Sequence, residues 1–514
     1  MTEPAAHPAH AKYPPEGLRR VAIDPLTRVE GHGKVTLLLD DRGQVQQARL
    51  HIVEFRGFEQ FIVGRPYWEV PVVVERLCGI CPVSHHLAAA KAMDVIVGAE
   101  RLPASADKLR RLMHYGQVLQ SHALHFFHLA APDLLFGWDA EPRRRNIAAL
   151  ASEQPDTARR GILLRKFGQE IIAATAGKRI HGTNAIPGGV SHGLERGIRQ
   201  RLAAQTADVI AWSGEAVVLA SRIFEADAVE NMRFGAVDEN GGLALYEGKV
   251  RVRNADGLIV RDQLEPRRYL DYLAERVEPW SYMKFPFLSE LGPEAGWYKV
   301  GPLARVQNCD FIPTPMAEAA RLALRAAAGG ATLHAPLAYH WARMIEMLHA
   351  AEVVAGLLGD PELEETAPAI RGERRDEAVG VLEAPRGTLI HHYRVGADDL
   401  VTACNLIVST THNNQAMNEA IREVARQQLD GHTITDALLN RISWRNGGGG
   451  ARGQRGGRGG TPGGCHGSGA GLCLWQPGPG GRRARTCAGG GAGGVGHARG
   501  GGEHGRSVPA GTRA

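Results

Sequence analysis

Apolar and polar positions change period several times along the chain, and each change marks an expected element. Lys34-Val-Thr-Leu-Leu-Leu39, the turn Asp40-Asp-Arg-Gly43 and the run from Val45 to Phe55 read as a β-hairpin, two strand-forming runs around a Gly-containing turn. Phe58–Gly64 and Trp68–Leu77 read as short helices. From Ala104 to about Ala130 the spacing is helical, and His114, His122, His125 and His128, spaced by eight, three and three, are expected on one face. Leu124, Phe126, Phe127 and Leu129 lie among them, so packed, satisfied imidazoles outweigh a metal reading there. Residues 160–178, 195–226, 317–328, 337–358 and 414–428 are further expected helices. Residues 241–262 read as a strand-rich excursion, with Lys249-Val-Arg-Val-Arg253 in strict alternation. Residues 360–377, rich in Pro, Glu and Arg, predict a surface loop, and 389–393 and 406–409 predict buried strands.

The two ends differ from this body. Residues 1–17, with Pro4, Pro8, Pro14 and Pro15, predict a loose arm. Near Ile442 the periodic pattern stops: residues 443–514 are Gly/Arg-rich, and 28 of the chain's 64 glycines lie from Arg441 onward, a composition that cannot build a core. Charge changes meaning with that boundary. The formal +5 includes 11 Arg and one acidic residue from Arg441 onward, which leaves 49 basic against 54 acidic groups, or −5, in the first 440 residues. That excludes a broad electrostatic case for nucleic acid. No apolar run reaches the 18 or more residues of a spanning helix, and no signal-like stretch opens the chain, so a soluble protein without membrane association is expected. The seven cysteines do not form a disulfide framework by their spacing, which fits a reducing compartment.

Candidate chemistry concentrates in Arg76-Leu-Cys-Gly-Ile-Cys-Pro-Val-Ser-His-His86. Cys78 and Cys81 can point from one turn at a single soft metal, and a helix is expected to start behind them with Ser84 as its cap. By itself Cys-x-x-Cys is equally a redox dithiol, half a zinc site or half a cluster site. Together with Asp24-Pro-Leu-Thr-Arg-Val-Glu-Gly-His32, Phe55-Arg-Gly-Phe-Glu59, Gln120-Ser-His-Ala-Leu-His-Phe-Phe-His128, His181-Gly-Thr-Asn-Ala-Ile-Pro-Gly-Gly189, Trp280-Ser-Tyr-Met-Lys-Phe-Pro286, Val381-Leu-Glu-Ala-Pro-Arg-Gly387 and Ser409-Thr-Thr-His-Asn-Asn414, it resembles the large subunit of nickel–iron hydrogenases, with wording closest to the soluble NAD-reducing subclass.

The resemblance implies one mostly helical body over 18–442 and an α+β, predominantly α-helical fold with small peripheral β-sheets. It implies reversible oxidation of H2 to protons and electrons at a Ni–Fe centre carrying CO and cyanide. Cys78 would be terminal on nickel, Cys81 would bridge nickel and iron, and His85 would hydrogen-bond the bridging sulfur. Arg386, after Pro385, would lie over the metals, Glu30 would carry protons, and Glu59 would bind Mg2+. Ser121 stands where many relatives have an aspartate. Implied partners are an Fe–S small subunit, flavin/NAD (diaphorase) subunits that hold the FMN and NAD, maturation proteins and a C-terminal endopeptidase, all in the cytoplasm. No dinucleotide fingerprint occurs in this chain.

One required motif is missing. The family's second pair, Asp-Pro-Cys-x-x-Cys-x-x-His, should follow Ile442, yet Cys465, Cys473 and Cys487 are eight and fourteen apart. A frameshift near Ile442 accounts for this; an Arg-Gly RNA-binding tail is the competing reading of Arg455-Gly-Gly-Arg-Gly-Gly460. As written, the chain is expected to be inactive. Two non-hydrogenase alternatives are a quinone-site subunit like that of complex I, or a zinc-structured RNA-binding protein.

Overall fold

Long helices whose buried faces meet around one apolar core organise the chain. The computed structural model describes residues 17–435 except 25, 28–30, 53–56, 138–139, 224–231, together with 438–439 and the backbone of 452–453. These all lie within one compact unit, Met1–Leu472; a second, Cys473–Ala514, falls outside the described residues, as does nearly all of the expected Gly/Arg tail.

An N-terminal sheet joins β1 (Arg19–Ile23), β2 (Gly33–Leu39) and β3 (Val45–Ile52), all antiparallel. Helix α1 (Pro82–Ile96) is followed by α2 (Ala104–Ala123), α3 (Pro155–Ala176) and α4 (Thr206–Ser221). The middle of the chain forms a second sheet from β4 (Met232–Val237), β5 (Lys249–Arg253) and β6 (Ile259–Leu264), with Tyr298–Lys299 added parallel to β4. Then come α5 (Ala338–Leu358), the antiparallel β7 (Glu377–Ala384), β8 (Gly387–Val395) and β9 (Val401–Ile407), and α6 (Asn414–Leu429).

Helix α2 packs against α3 and α5, and α5 against α4. Leu112, Leu119, Phe126, Leu164, Ile171, Met344, Ile345 and Leu348 fill their shared core. The α2–α3 crossing is close enough that a Cβ on Gly168 would come within 2.6 Å of the Gln120 Cβ, so glycine is required there. Helix α1 lies on β7 and β8, and α6 covers β3.

Two expectations change. The helix from Ala104 is α only to Ala123; Leu124–Ala130 is π-helical, so His125 and His128 do not continue the α-helical face of His114 and His122. The α1 N-cap is Cys81, with Pro82 in the first turn; Ser84 lies inside the helix, fully buried. No described helix is long and apolar enough to cross a membrane.

Candidate metal centre

The cysteine turn sits where short helical turns, Val70–Val73 and Val74–Leu77, run into α1. Its middle carbonyl, Ile80 O, accepts hydrogen bonds from Gln117 Nε2 at 2.9 Å and Gln120 Nε2 at 3.0 Å, which pin the loop to α2. His86, on the first turn of α1, donates from Nδ1 to Pro71 O at 2.8 Å and accepts from the Ala185 N–H at 3.1 Å. Behind it, the buried Asp94–Arg110 pair, 2.7 Å apart, receives the Gly188 N–H and reaches Ile186 O and Gly189 O. The His181–Gly189 motif is therefore a buttress of the loop.

Cys78, Cys81 and His85 each offer a donor atom within 4.8 Å of the others, the one group of three or more His, Cys, Asp or Glu donors among the described residues so arranged. The sequence reading expected two separate thiolates. Here the sulfurs form a disulfide, with Cα atoms 5.4 Å apart. A turn that aims two sulfurs at one point also brings them to bonding distance, so the pair can hold a metal only after reduction. His85, 3 % exposed, faces β8: its Nδ1 lies 3.2 Å from His391 Nε2, and His391 Nδ1 lies 2.8 Å from Tyr393 Oη.

Pro385 and Arg386 form the turn between β7 and β8. Gly387 follows with φ +140°, and a Cβ there would stand 2.2 Å from Val300 Cγ2. The turn's carbonyls are held by Arg305, which donates to Ala384 O at 2.7 Å and Pro385 O at 3.4 Å. Arg305 also bridges Glu346 at 2.7 Å and Glu383 at 2.9 Å, all three side chains shielded from solvent. Despite burial, Arg305 and the His122 ring, 3.1 Å away, draw Glu346 down to about 2. Burial in turn lowers His122 to about 4, so its neutral ring donates to that carboxylate. Arg386 lines a narrow cavity with His125, Pro302, Arg343, Ser409 and Met417. Burial and the neighbouring Arg386 guanidinium lower Arg343 to about 9.

Glu59 is set apart from the sulfurs by its chemistry. Its Oε1 accepts from the Leu406 N–H at 3.0 Å and stands 3.6 Å from Lys284 Nζ. That ammonium also bonds Asn405 Oδ1 at 2.7 Å and Glu275 at 3.3 Å. Glu30 lies outside the described residues.

The geometry therefore brings together three of the expected residues, Cys78, Cys81 and His85, and ties them through His391 to the strand that Arg386 introduces. Sequence reasoning missed His391, Tyr393, Arg305, Glu346 and Arg343. Strand alternation from Gly387 would have placed His391 and Tyr393 on one face. No local signal links Arg305, Glu346 and Glu383, which come from three distant segments.

Known proteins resolve the family. A profile described as nickel-dependent hydrogenase matches residues 56–148, and one described as HoxL-like matches 20–55. The NAD-reducing hydrogenase HoxS subunit beta of Cupriavidus necator is 43 % identical over 447 residues, 82 % of this chain and 91 % of that protein. This chain belongs to the nickel-dependent hydrogenase large-subunit family. An F420-non-reducing hydrogenase of Methanococcus voltae, of the vhu type, is 42 % identical, covering 79 % of this chain and 98 % of its own length. A crystal structure of an NAD+-reducing [NiFe]-hydrogenase in the H2-reduced state superposes with a TM-score of 0.81 at 57 % identity, over 83 % of this chain and 96 % of that one. The hydrogenase large-subunit fold is thus shared, including its α+β character.

Proposed function

We propose that this chain is the large subunit of a NAD-linked nickel–iron hydrogenase that retains one half of its metal-binding apparatus. The convergence of Cys78, Cys81 and His85 within 4.8 Å carries the reading, because two reducible sulfurs beside a buried imidazole form a soft donor set. Cys78 would hold nickel and Cys81 would bridge to iron. When bound, the group supplies a site for heterolytic cleavage of H2. The residues present fit only half of a four-thiolate set, since Cys465, Cys473 and Cys487 lack the pair spacing. No step is therefore routed through the metals.

This chain's own contributions are binding and orientation. The Gln117 and Gln120 amides hold the loop, His85 faces the sulfurs, and Arg386 with Pro385 presents a cation to the adjoining cavity, where it would bond anionic diatomic ligands. Glu30 is the proposed proton carrier. Magnesium at Glu59 has weaker support, because the Lys284 ammonium already supplies positive charge among those oxygens. Electrons would pass to an iron–sulfur small subunit, then to a flavin/NAD module, in a cytoplasmic complex, with a maturation endopeptidase leaving the altered C-terminus uncut.

Elemental analysis tests this reading. The chain as written is expected to purify without stoichiometric nickel, and a chain with the Asp-Pro-Cys-x-x-Cys-x-x-His segment restored after Ile442 to hold nickel and iron. Zinc in both, or no metal in the restored chain, would sink it. Resequencing the codons for Leu438–Gly460 separates a frameshift from a genuine tail.

A further inference from the structure

His85 does not face the cysteine pair alone. It is the end of a buried chain of polar groups that enters from β8: Tyr393 Oη lies 2.8 Å from His391 Nδ1, and His391 Nε2 lies 3.2 Å from His85 Nδ1. Alternation along β8 places His391 and Tyr393 on the same face, and both are fully buried. We propose that His391 and Tyr393 are positioning residues whose hydrogen-bond chain locks His85 with its proton on Nε2, turned to the Cys78 and Cys81 sulfurs as a donor.

The polarity follows from counting protons. The Tyr393 hydroxyl has one hydrogen-bond partner among the described residues, His391 Nδ1. A buried O–H without an acceptor is costly, whereas an unused oxygen lone pair costs less, so the hydroxyl donates and Nδ1 accepts. Burial keeps the His391 ring neutral, with its pKa well below the ordinary histidine value, so its single proton sits on Nε2. That N–H points at His85 Nδ1, which must accept. The one proton left to His85 is then on Nε2, the nitrogen not engaged with β8 and the one available to the donor cluster it forms with both sulfurs. The reverse polarity would turn a lone pair at sulfur lone pairs and leave the tyrosine proton without an acceptor. A hydrogen bond donated to a thiolate draws charge from it, so a tautomer fixed three residues away sets how electron-rich the sulfur remains.

The inference rests on the metal reading of the cysteine pair, but its test does not need metal. The full chain, labelled with 15N-histidine and reduced at Cys78 and Cys81, is observed by two-bond 1H–15N correlation, with the His85 and His391 rings assigned from the resonances lost in His85→Gln and His391→Gln. Both rings are expected as a single neutral tautomer protonated on Nε2. In Tyr393→Phe, which removes only the hydroxyl, the Nδ1-protonated form of His391 and His85 should rise at least severalfold. A wild-type His85 protonated on Nδ1 overturns the proposal, even if Tyr393→Phe fails to fold; so does a folded Tyr393→Phe with unchanged tautomers. Locked tautomers in a restored chain that holds no nickel would instead overturn the metal reading alone.

Discussion

The two faces of the sheet β7–β8–β9 solve the same problem in opposite ways. Toward α1 the side chains are His391 and Tyr393, both fully buried and neutral, with protons whose positions are dictated by the next group. On the other face His392 bonds Glu377 at 2.7 Å and Tyr269 at 3.0 Å, and Asn405, opposite it on β9, bonds Lys284 and Glu275 beside Glu59. Water reaches that face: the Lys284 and Glu59 side chains are 29 % and 25 % exposed. Where solvent is absent, charge is tolerated only when completely paired, as in Arg305 with Glu346 and Glu383; where solvent enters, charges gather loosely. One side suits soft sulfur ligands and fixed tautomers, the other hard oxygens and mobile cations.

The strongest way to break this contrast is Arg305→Met. It leaves Glu346 and Glu383 buried without their cation and is expected to cost about 3–5 kcal/mol in urea unfolding; a loss below about 1 kcal/mol would mean that the buried carboxylates need no such pairing. Next is Gly387→Ala. The φ of +140° and the contact with Val300 predict a loss of about 1–3 kcal/mol, together with disturbed packing of the Arg386 turn, read by chemical denaturation and by near-ultraviolet circular dichroism.

The pH dependence of stability sharpens the comparison. Glu75, fully buried beside the cysteine turn, has neither carboxyl oxygen hydrogen-bonded among the described residues, and burial raises its pKa from 4.5 to about 9. Between those values the unfolded chain releases this proton while the folded chain keeps it, so this group lowers stability as pH rises through the window. The slope is at most about 1.4 kcal/mol per pH unit. Glu75→Gln should remove that decline, visible as a flatter stability profile from pH 5 to 9, and an unaltered profile would show that Glu75 ionises freely. The smallest effect belongs to the solvated face. Lys284→Met is expected to change stability by less than about 1 kcal/mol, since the ammonium is partly exposed and its partners can turn to water. A change as large as that of Arg305→Met would erase the distinction between the faces.

Local pattern made much of the fold legible. The N-terminal hairpin, the strand Lys249–Arg253, the helix over 338–358 and the helix from Asn414 follow from alternation, helical spacing and turn residues. The π-helical stretch Leu124–Ala130 did not, because its apolar residues also satisfy an α-helical spacing and only packing on neighbouring helices selects the wider turn. The four-stranded middle sheet was legible in part: its strands at 249–253 and 259–264 fell within the expected excursion, while Met232–Val237 and the distant Tyr298–Lys299 pair only in three dimensions.

The same division holds at the site. The sequence by itself determined the cysteine turn, the Pro385-Arg386-Gly387 turn, the family they point to and the lack of a second cysteine pair, because spacing and residue chemistry are local properties. Tertiary structure alone decided that the two sulfurs meet, that Arg305 from one segment neutralises carboxylates from two others, and that His391 and Tyr393 stand behind His85. Those facts depend on which surfaces exclude water together, and desolvation is a property of the packed whole that no short stretch of sequence carries.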